Sequence, residues 1–201
     1  METTTVRTAR TIIDAANRIV RRDGVARLTL DAVAREAGLS KGGLLYHFPS
    51  KNALIAGMTA ALLEDFEGEV RRRSGADDQR TGRWLRAYVL ATADDELRPD
   101  DETAALIAAV ATSPELMAPL QRRYELWQQQ VEADGLPPAM ATLVRLAADG
   151  LWLADLLGLA PPASDLRAEV VAAMLALTRA DRDGVDPERR GRQEGKERTK
   201  P

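Results

Sequence analysis

Cysteine is missing from the 201-residue chain, which excludes disulfides, thiolate metal sites and cysteine nucleophiles. Histidine occurs once, at His47, so no centre can be built on a pair of imidazoles. Aromatic residues make up only 4%, and where those few stand is therefore informative. Lysine is confined to Lys41, Lys51, Lys196 and Lys200, and the rest of the 28 basic residues are arginine. No uninterrupted apolar run approaches the ~20 residues of a membrane-spanning helix. Asp14 and Asn17 interrupt the first apolar stretch, which argues against a secretory signal. The expectation is a cytoplasmic protein with no membrane partner, no metal and no cofactor.

What is present is ordinary globular material, 45% hydrophobic and 29% charged, with a net charge of −3. That charge is unevenly spread. Residues 1–50 carry eight Lys/Arg against five Asp/Glu, whereas residues 75–183 carry ten against eighteen. A basic head on an acidic body suggests that only the head meets a polyanion. Drift in surface charge would leave the same imbalance, so motifs have to decide.

Nearly every segment has helical periodicity, and none alternates apolar and polar residues as a half-buried strand does. Ile12, Ile13, Ala16, Ile19 and Val20 recur at helical spacing over 9–22, and Gly24 stops that run. Thr29 is placed to cap LDAVAREAGLS, and Ser40 to cap KGGLLYHF, which Pro49 closes. Ser50 opens a long helix in which Leu54, Met58, Leu62 and Phe66 share one side. Further helices are expected over 81–96, 102–111, 115–133, 139–159 and 165–182, separated by proline- and aspartate-rich breaks. The expected fold is all-α: a three-helix helix-turn-helix domain at 1–50, a larger helical domain at 51–183, and a disordered polar tail at 184–201.

The segment TLDAVAREAGLSKG followed by YHFPSKNAL (29–54) contains two short helices joined at Gly38-Leu39-Ser40, a helix-turn-helix arrangement. Over residues ~9–56 this run resembles the N-terminal domain of the TetR family of bacterial transcriptional regulators. The resemblance implies a partner, double-stranded operator DNA. Ala34, Ala37, Leu39, Leu44 and Phe48 would form the packed side. Thr29 and Ser40 would offer hydroxyls and helix-end amides to phosphates, and Lys41 would reach a phosphate or a guanine edge. Gly42 and Gly43 would let backbone approach the duplex, and Tyr46, His47 and Lys51 would add backbone contacts. Leu45 stands where many relatives carry tyrosine, which removes a polar contact from the DNA-binding set. His47 reads equally as a packing residue.

The resemblance also assigns the second domain to effector binding and dimerisation. One helix-turn-helix contacts few base pairs, and two related by a twofold axis can read a palindrome. A homodimer is expected through the last two long helices. One stripe is Leu166, Val170, Met174 and Leu177, widened by Val171 and Leu175. The other is Leu143, Leu146, Ala147, Gly150, Leu151, Leu153, Ala154 and Leu157. A small-molecule pocket is expected where aromatic and acidic residues share faces: Trp84, Tyr88 and Asp95, then Tyr124 and Trp127, then Asp149, Trp152 and Asp155. Two readings of those aspartates stand. They neutralise a flat, cationic, lipophilic ligand, or they pair with Arg145, Arg86 or Arg122 or face solvent. Ligand binding would then release a repressor from its operator, with the helix that begins at Lys51 as lever. Activation is the other possible sign. The rival readings are a helical enzyme, for which only carboxylates remain as chemistry, and a DNA-binding protein with no effector.

Overall fold

The computed structural model describes residues 4–179. The expected tail at 184–201 and the end of the last helix expected over 165–182 lie outside those residues. Among the described residues there are nine α-helices and no strand. No single one is long and apolar enough to cross a membrane.

The head is built from α1 (Thr4–Asp23), α2 (Leu30–Glu36) and α3 (Lys41–His47). Thr29 Oγ1 accepts the Ala32 amide at 3.2 Å and Ser40 Oγ accepts the Gly43 amide at 3.1 Å, so both hydroxyls act as helix caps. Between them α2 ends in a reversed turn. Gly38 adopts φ +69°, and the Leu39 amide returns to the Ala34 carbonyl at 2.9 Å. A side chain is strained in that left-handed conformation, which is why glycine makes the corner.

Helix α4 (Lys51–Gly75) starts beside α3, capped by Ser50 Oγ on the Ala53 amide, and runs into the body. Around it stand α5 (Arg83–Thr92), α6 (Asp101–Ala111), α7 (Pro114–Glu132), α8 (Pro138–Leu157) and α9 (Ser164–Leu177). The helix expected over 81–96 is shorter than its periodicity suggests. Asp94 caps a separate 3-10 turn at Asp95–Leu97, and the chain then extends through Arg98. The start of α5 is capped from a distance, by the Asp134 carboxylate of the α7–α8 loop, which accepts the Trp84 and Leu85 amides at 3.1 and 2.8 Å.

Two apolar cores divide along α4 and not at its start. Ile12, Ile19, Leu44 and Phe48 pack with the first half of α4 and also with Leu106, Val110 and Leu116 of α6 and α7. Val70 from the far end of α4 joins Leu85, Tyr88, Val131, Val144 and Met174 in the second core. Helix α6 therefore belongs to the packing of the head as well as to the body. Gly57 of α4 makes this closure tight: a Cβ there would sit 2.5 Å from the Phe48 ring.

Helices α8 and α9 carry more apolar surface than one chain buries. Leu143, Leu146, Leu153, Leu157 and Leu166 are all at least 44% exposed. The stripe expected on α9 is split: Met174 is buried and Val170 half-buried against the second core, whereas Leu166 and Leu177 face outward. The steps of four, four and three residues place Val170 and Met174 about 40° and 80° round from Leu166 and bring Leu177 back to about 20°, so the middle of the stripe turns inward while both ends stay outside. On α8, Leu151 likewise turns inward, while Leu143, Leu146, Ala147, Gly150, Leu153 and Leu157 remain on one outward face.

Candidate functional site

Helix α3 buries Leu44 and Phe48, and at 100° per residue the opposite side falls on Gly42, Gly43 and Tyr46. Tyr46 is 80% exposed, the most open of the large apolar side chains in the described residues. A Cβ on Gly42 would meet nothing within 4 Å. Leu45 and His47 flank this face half-buried, and the His47 ring meets Tyr46 edge-on at 5.2 Å. Lys41 Nζ lies 3.0 Å from Asp31 on α2, and Lys51 Nζ points at the Val25 carbonyl, 3.5 Å away. Thr29, Ser40, Lys41, Gly42, Gly43, Tyr46 and Lys51 are all exposed on the head. Arg18 and Arg22 clamp Glu36 and so fasten α1 to the end of α2. Their hydrogen bonds hold the Glu36 carboxyl below the usual range.

In the body, a cavity of about 310 Å³ opens between α4, α5, α6, α7 and α8. Its aromatic wall is Phe66, Tyr88, Tyr124, Trp127 and Trp152. Phe66 meets Tyr88 edge-on at 5.2 Å, and Tyr124 lies 4.8 Å from Trp127. The Trp127 indole is fixed from behind, because its N–H donates to Glu67 at 2.8 Å and Arg123 holds the same carboxylate at 2.9 Å. Leu62, Leu63, Leu97, Ile107 and Leu120 complete the apolar lining. The buried floor is polar. Tyr88 Oη donates to Asp149 Oδ1 at 2.5 Å, and Arg145 donates to Oδ2 at 2.5 Å. Burial raises the Asp149 carboxyl above its ordinary value and pushes the Tyr88 hydroxyl far up; the Tyr124 hydroxyl is pushed up to about 12.

Of the ligand-binding residues expected from sequence, Tyr88, Tyr124, Trp127, Asp149 and Trp152 meet at this cavity, and three do not line it. Trp84 stacks on Tyr88 at 5.3 Å but borders a different depression, shallow and polar, of about 390 Å³. Asp95 is exposed on the 3-10 turn and pairs with Arg98 at 2.6 Å. Asp155 is buried in an ion pair with Arg167 of α9 at 2.8 Å, which joins α8 to α9. None of the three aspartates offers a free carboxylate to the cavity. Besides Asp149, the acidic groups bordering it are Asp65, Glu96 and Asp100, none of which the sequence pattern assigns to a ligand, and the same holds for Phe66. A signal existed for Phe66, the lone aromatic on the α4 stripe. None existed for the acids, which look like ordinary solvated helix and loop charges. No cluster of three or more His, Asp or Glu among the described residues is placed to hold a metal.

Two family descriptions match the chain, "Bacterial regulatory proteins, tetR family" over residues 12–58 and "Tetracyclin repressor-like, C-terminal domain" over 82–179. The chain belongs to the TetR family. This TetR-family chain is 35% identical over 68 residues to the HTH-type transcriptional regulator TtgR of Pseudomonas putida, a match covering 34% of the chain and 32% of that protein. Its fold resembles a TetR-family member from Streptomyces coelicolor A3, with TM-score 0.62 and 24% identity over 83% of this chain and 97% of that one. It also resembles the multidrug binding protein EbrR complexed with imidazole, with TM-score 0.61 and 23% identity over 86% and 96%. A third likeness is to the SmeT–triclosan complex, with TM-score 0.62 and 20% identity over 85% and 90%. At these identities the structural likenesses speak for the fold.

Proposed function

We propose that this TetR-family chain is a ligand-responsive DNA-binding transcriptional regulator: a homodimeric repressor released from a palindromic operator when a small molecule occupies the body cavity. The observation that carries the reading is the continuity of α4. Its first turn brings Lys51 to the edge of the recognition helix, and its middle supplies Leu62, Leu63 and Phe66 to the cavity wall. A helix rigid over 25 residues transmits a displacement at one end to the other. The aromatic wall supports a flat, largely apolar effector, and the complexes of EbrR with imidazole and of SmeT with triclosan are consistent with small-molecule binding on this fold. The outward leucines of α8 and α9 support a second copy as the partner, because an apolar face of this extent is rarely left in water. Two heads would then dock in successive major grooves, ~34 Å apart. Thr29, Ser40, Lys41, Gly42, Gly43, Leu45, Tyr46, His47 and Lys51 are the residues assigned to the duplex. Tyr88, Tyr124, Trp127, Asp149 and Trp152 are assigned to the effector.

The test is a gel shift with DNA from upstream of the chain's own coding region. A discrete complex should form, weaken at least tenfold in Lys41→Ala/Tyr46→Ala/Lys51→Ala, and dissociate when a ligand that quenches the cavity tryptophans is added. Retention of full affinity by the triple variant would sink the assignment of the head.

A further inference from the structure

The cavity shares a wall with a crevice of about 160 Å³ between α1, α4 and α6, since Leu62, Asp65, Asp100 and Thr103 line both. Two of those shared residues are carboxylates that hold arginines of α1. Asp65 accepts Arg10 Nη1 and Nη2 at 3.2 and 2.8 Å. Asp100 lies 3.7 Å from Arg21 Nη2, which also reaches Glu102 at 2.9 Å. Helix α1 packs against α2, α4 and α6 and supplies much of the head's core, so its position sets that of the head.

The charges on the cavity wall balance but for one carboxylate. Asp65 is held by Arg10, Asp100 by Arg21, Asp149 by Arg145 and Arg98 by Asp95, whereas Glu96 has no ion-pair partner among the described residues. Glu96 is therefore the one unpaired charge on the described wall, Asp65 and Asp100 are compensated only from the α1 side, and no unpaired cation lies there. Such a wall attracts a positive occupant and repels an anion.

Resting on the reading of this cavity as the effector site, we propose that an occupant bearing positive charge acts on the head by drawing Asp65 and Asp100 away from Arg10 and Arg21. The Arg10–Asp65 pair is about half exposed on both sides, 48% and 56%. Exposed pairs of this kind are individually weak, so a ligand can outcompete them. A deeply buried pair such as Asp155–Arg167 could not be broken so cheaply. Competition also dictates a sign that a merely structural role would not give. Removing the arginines frees the carboxylates, so a cationic ligand must then bind more tightly.

A matched pair of flat tricyclic dyes tests this on the full-length protein at pH 7.5: proflavine, which is cationic, and acridine, which is neutral. Binding is read as quenching of tryptophan fluorescence. Arg10→Gln/Arg21→Gln is expected to bind proflavine about three- to tenfold more tightly and acridine unchanged. Asp65→Asn/Asp100→Asn is expected to lose proflavine affinity by a similar factor while keeping acridine; Asp100 Oδ1 caps α6 by accepting the Thr103 amide at 2.9 Å, and an asparagine oxygen at 100 can do the same. Amide exchange in α1 over 12–20 should quicken with proflavine in the unsubstituted protein and be quick already in the arginine double variant. Proflavine affinity that is unchanged or weaker in the arginine variant, with both dyes still bound, overturns the proposal. Equal shifts for the two dyes overturn it too. If neither dye quenches any form of the protein, the effector reading of the cavity fails, and this inference with it.

Discussion

Arg86 is 3% exposed, and its guanidinium donates to Asp77 at 2.7 Å and to the carbonyls of Thr81, Thr178 and Gln79 at 2.8, 3.2 and 2.7 Å. One side chain thus ties the α4–α5 loop to the end of α9. Arg86→Ala strands three carbonyls and a carboxylate and should cost about 3–5 kcal/mol, read as a lowered urea midpoint. Arg86→Lys keeps the charge but not the fork and should recover little of the loss. The hydrogen bond from Arg86 also holds the Asp77 carboxyl below its ordinary value. A folded-state value below the unfolded one means that the contribution is complete above the ordinary carboxylate range and is lost as pH falls through the lowered value. The difference in thermal midpoint between the unsubstituted protein and Asp77→Asn should hold steady from about pH 7 to 5 and shrink towards about pH 3. At the head, Lys41 must leave Asp31 to meet a phosphate. Asp31→Asn should raise affinity for random duplex about two- to fivefold, and Lys41→Ala should reduce the salt slope by about one. The matching measurement is fluorescence anisotropy across a salt series.

Among the elements, the short helices of the head are specified locally. Thr29, Ser40 and Ser50 each stand just before a run of apolar periodicity, and each accepts an amide three residues on. A capping hydroxyl needs only its own helix, so these boundaries were legible. The cap on α5 was not, since Asp134 lies 50 residues from the amide of Trp84 that it accepts. Gly57 is an intermediate case. A glycine inside a 25-residue helix sacrifices propensity, but the sequence does not tell Gly57, which faces a ring, from Gly68 of the same helix, which has nothing within 4 Å. The ring is that of Phe48, and Gly57→Ala should therefore destabilise by about 1–3 kcal/mol although alanine is the better helix former. Calorimetry is the check. Restoring space with Phe48→Leu in the same chain should recover part of the loss, because the clash is specific to that ring.

For the whole molecule, the outward face of α8 and α9 is the surface to which assembly is assigned in the proposal. Leu146 is 53% exposed and Leu157 55%. Leu146→Arg/Leu157→Arg should convert the proposed homodimer to a monomer by light scattering and abolish the gel-shifted complex, because a single head contacts few base pairs. Dye quenching at the cavity should survive, because neither residue lines it. A variant that remains a dimer would place the interface elsewhere.

Composition and the 3.6-residue period were sufficient for an all-helical chain, for the order of its helices and for a helix-turn-helix near the start, because those are written in neighbours along the chain. They also marked aromatic residues that meet at the cavity, since large rings on helical stripes seldom face only water. The roles of the acids could not be read that way. Asp149, Asp155 and Asp95 looked alike as aspartates near aromatics, yet the fold gives each an arginine, while Asp65 and Asp100 stand between the cavity and α1. A carboxylate's role depends on which guanidinium or aromatic ring lies within a few ångströms. Those distances exist only once distant segments have packed together.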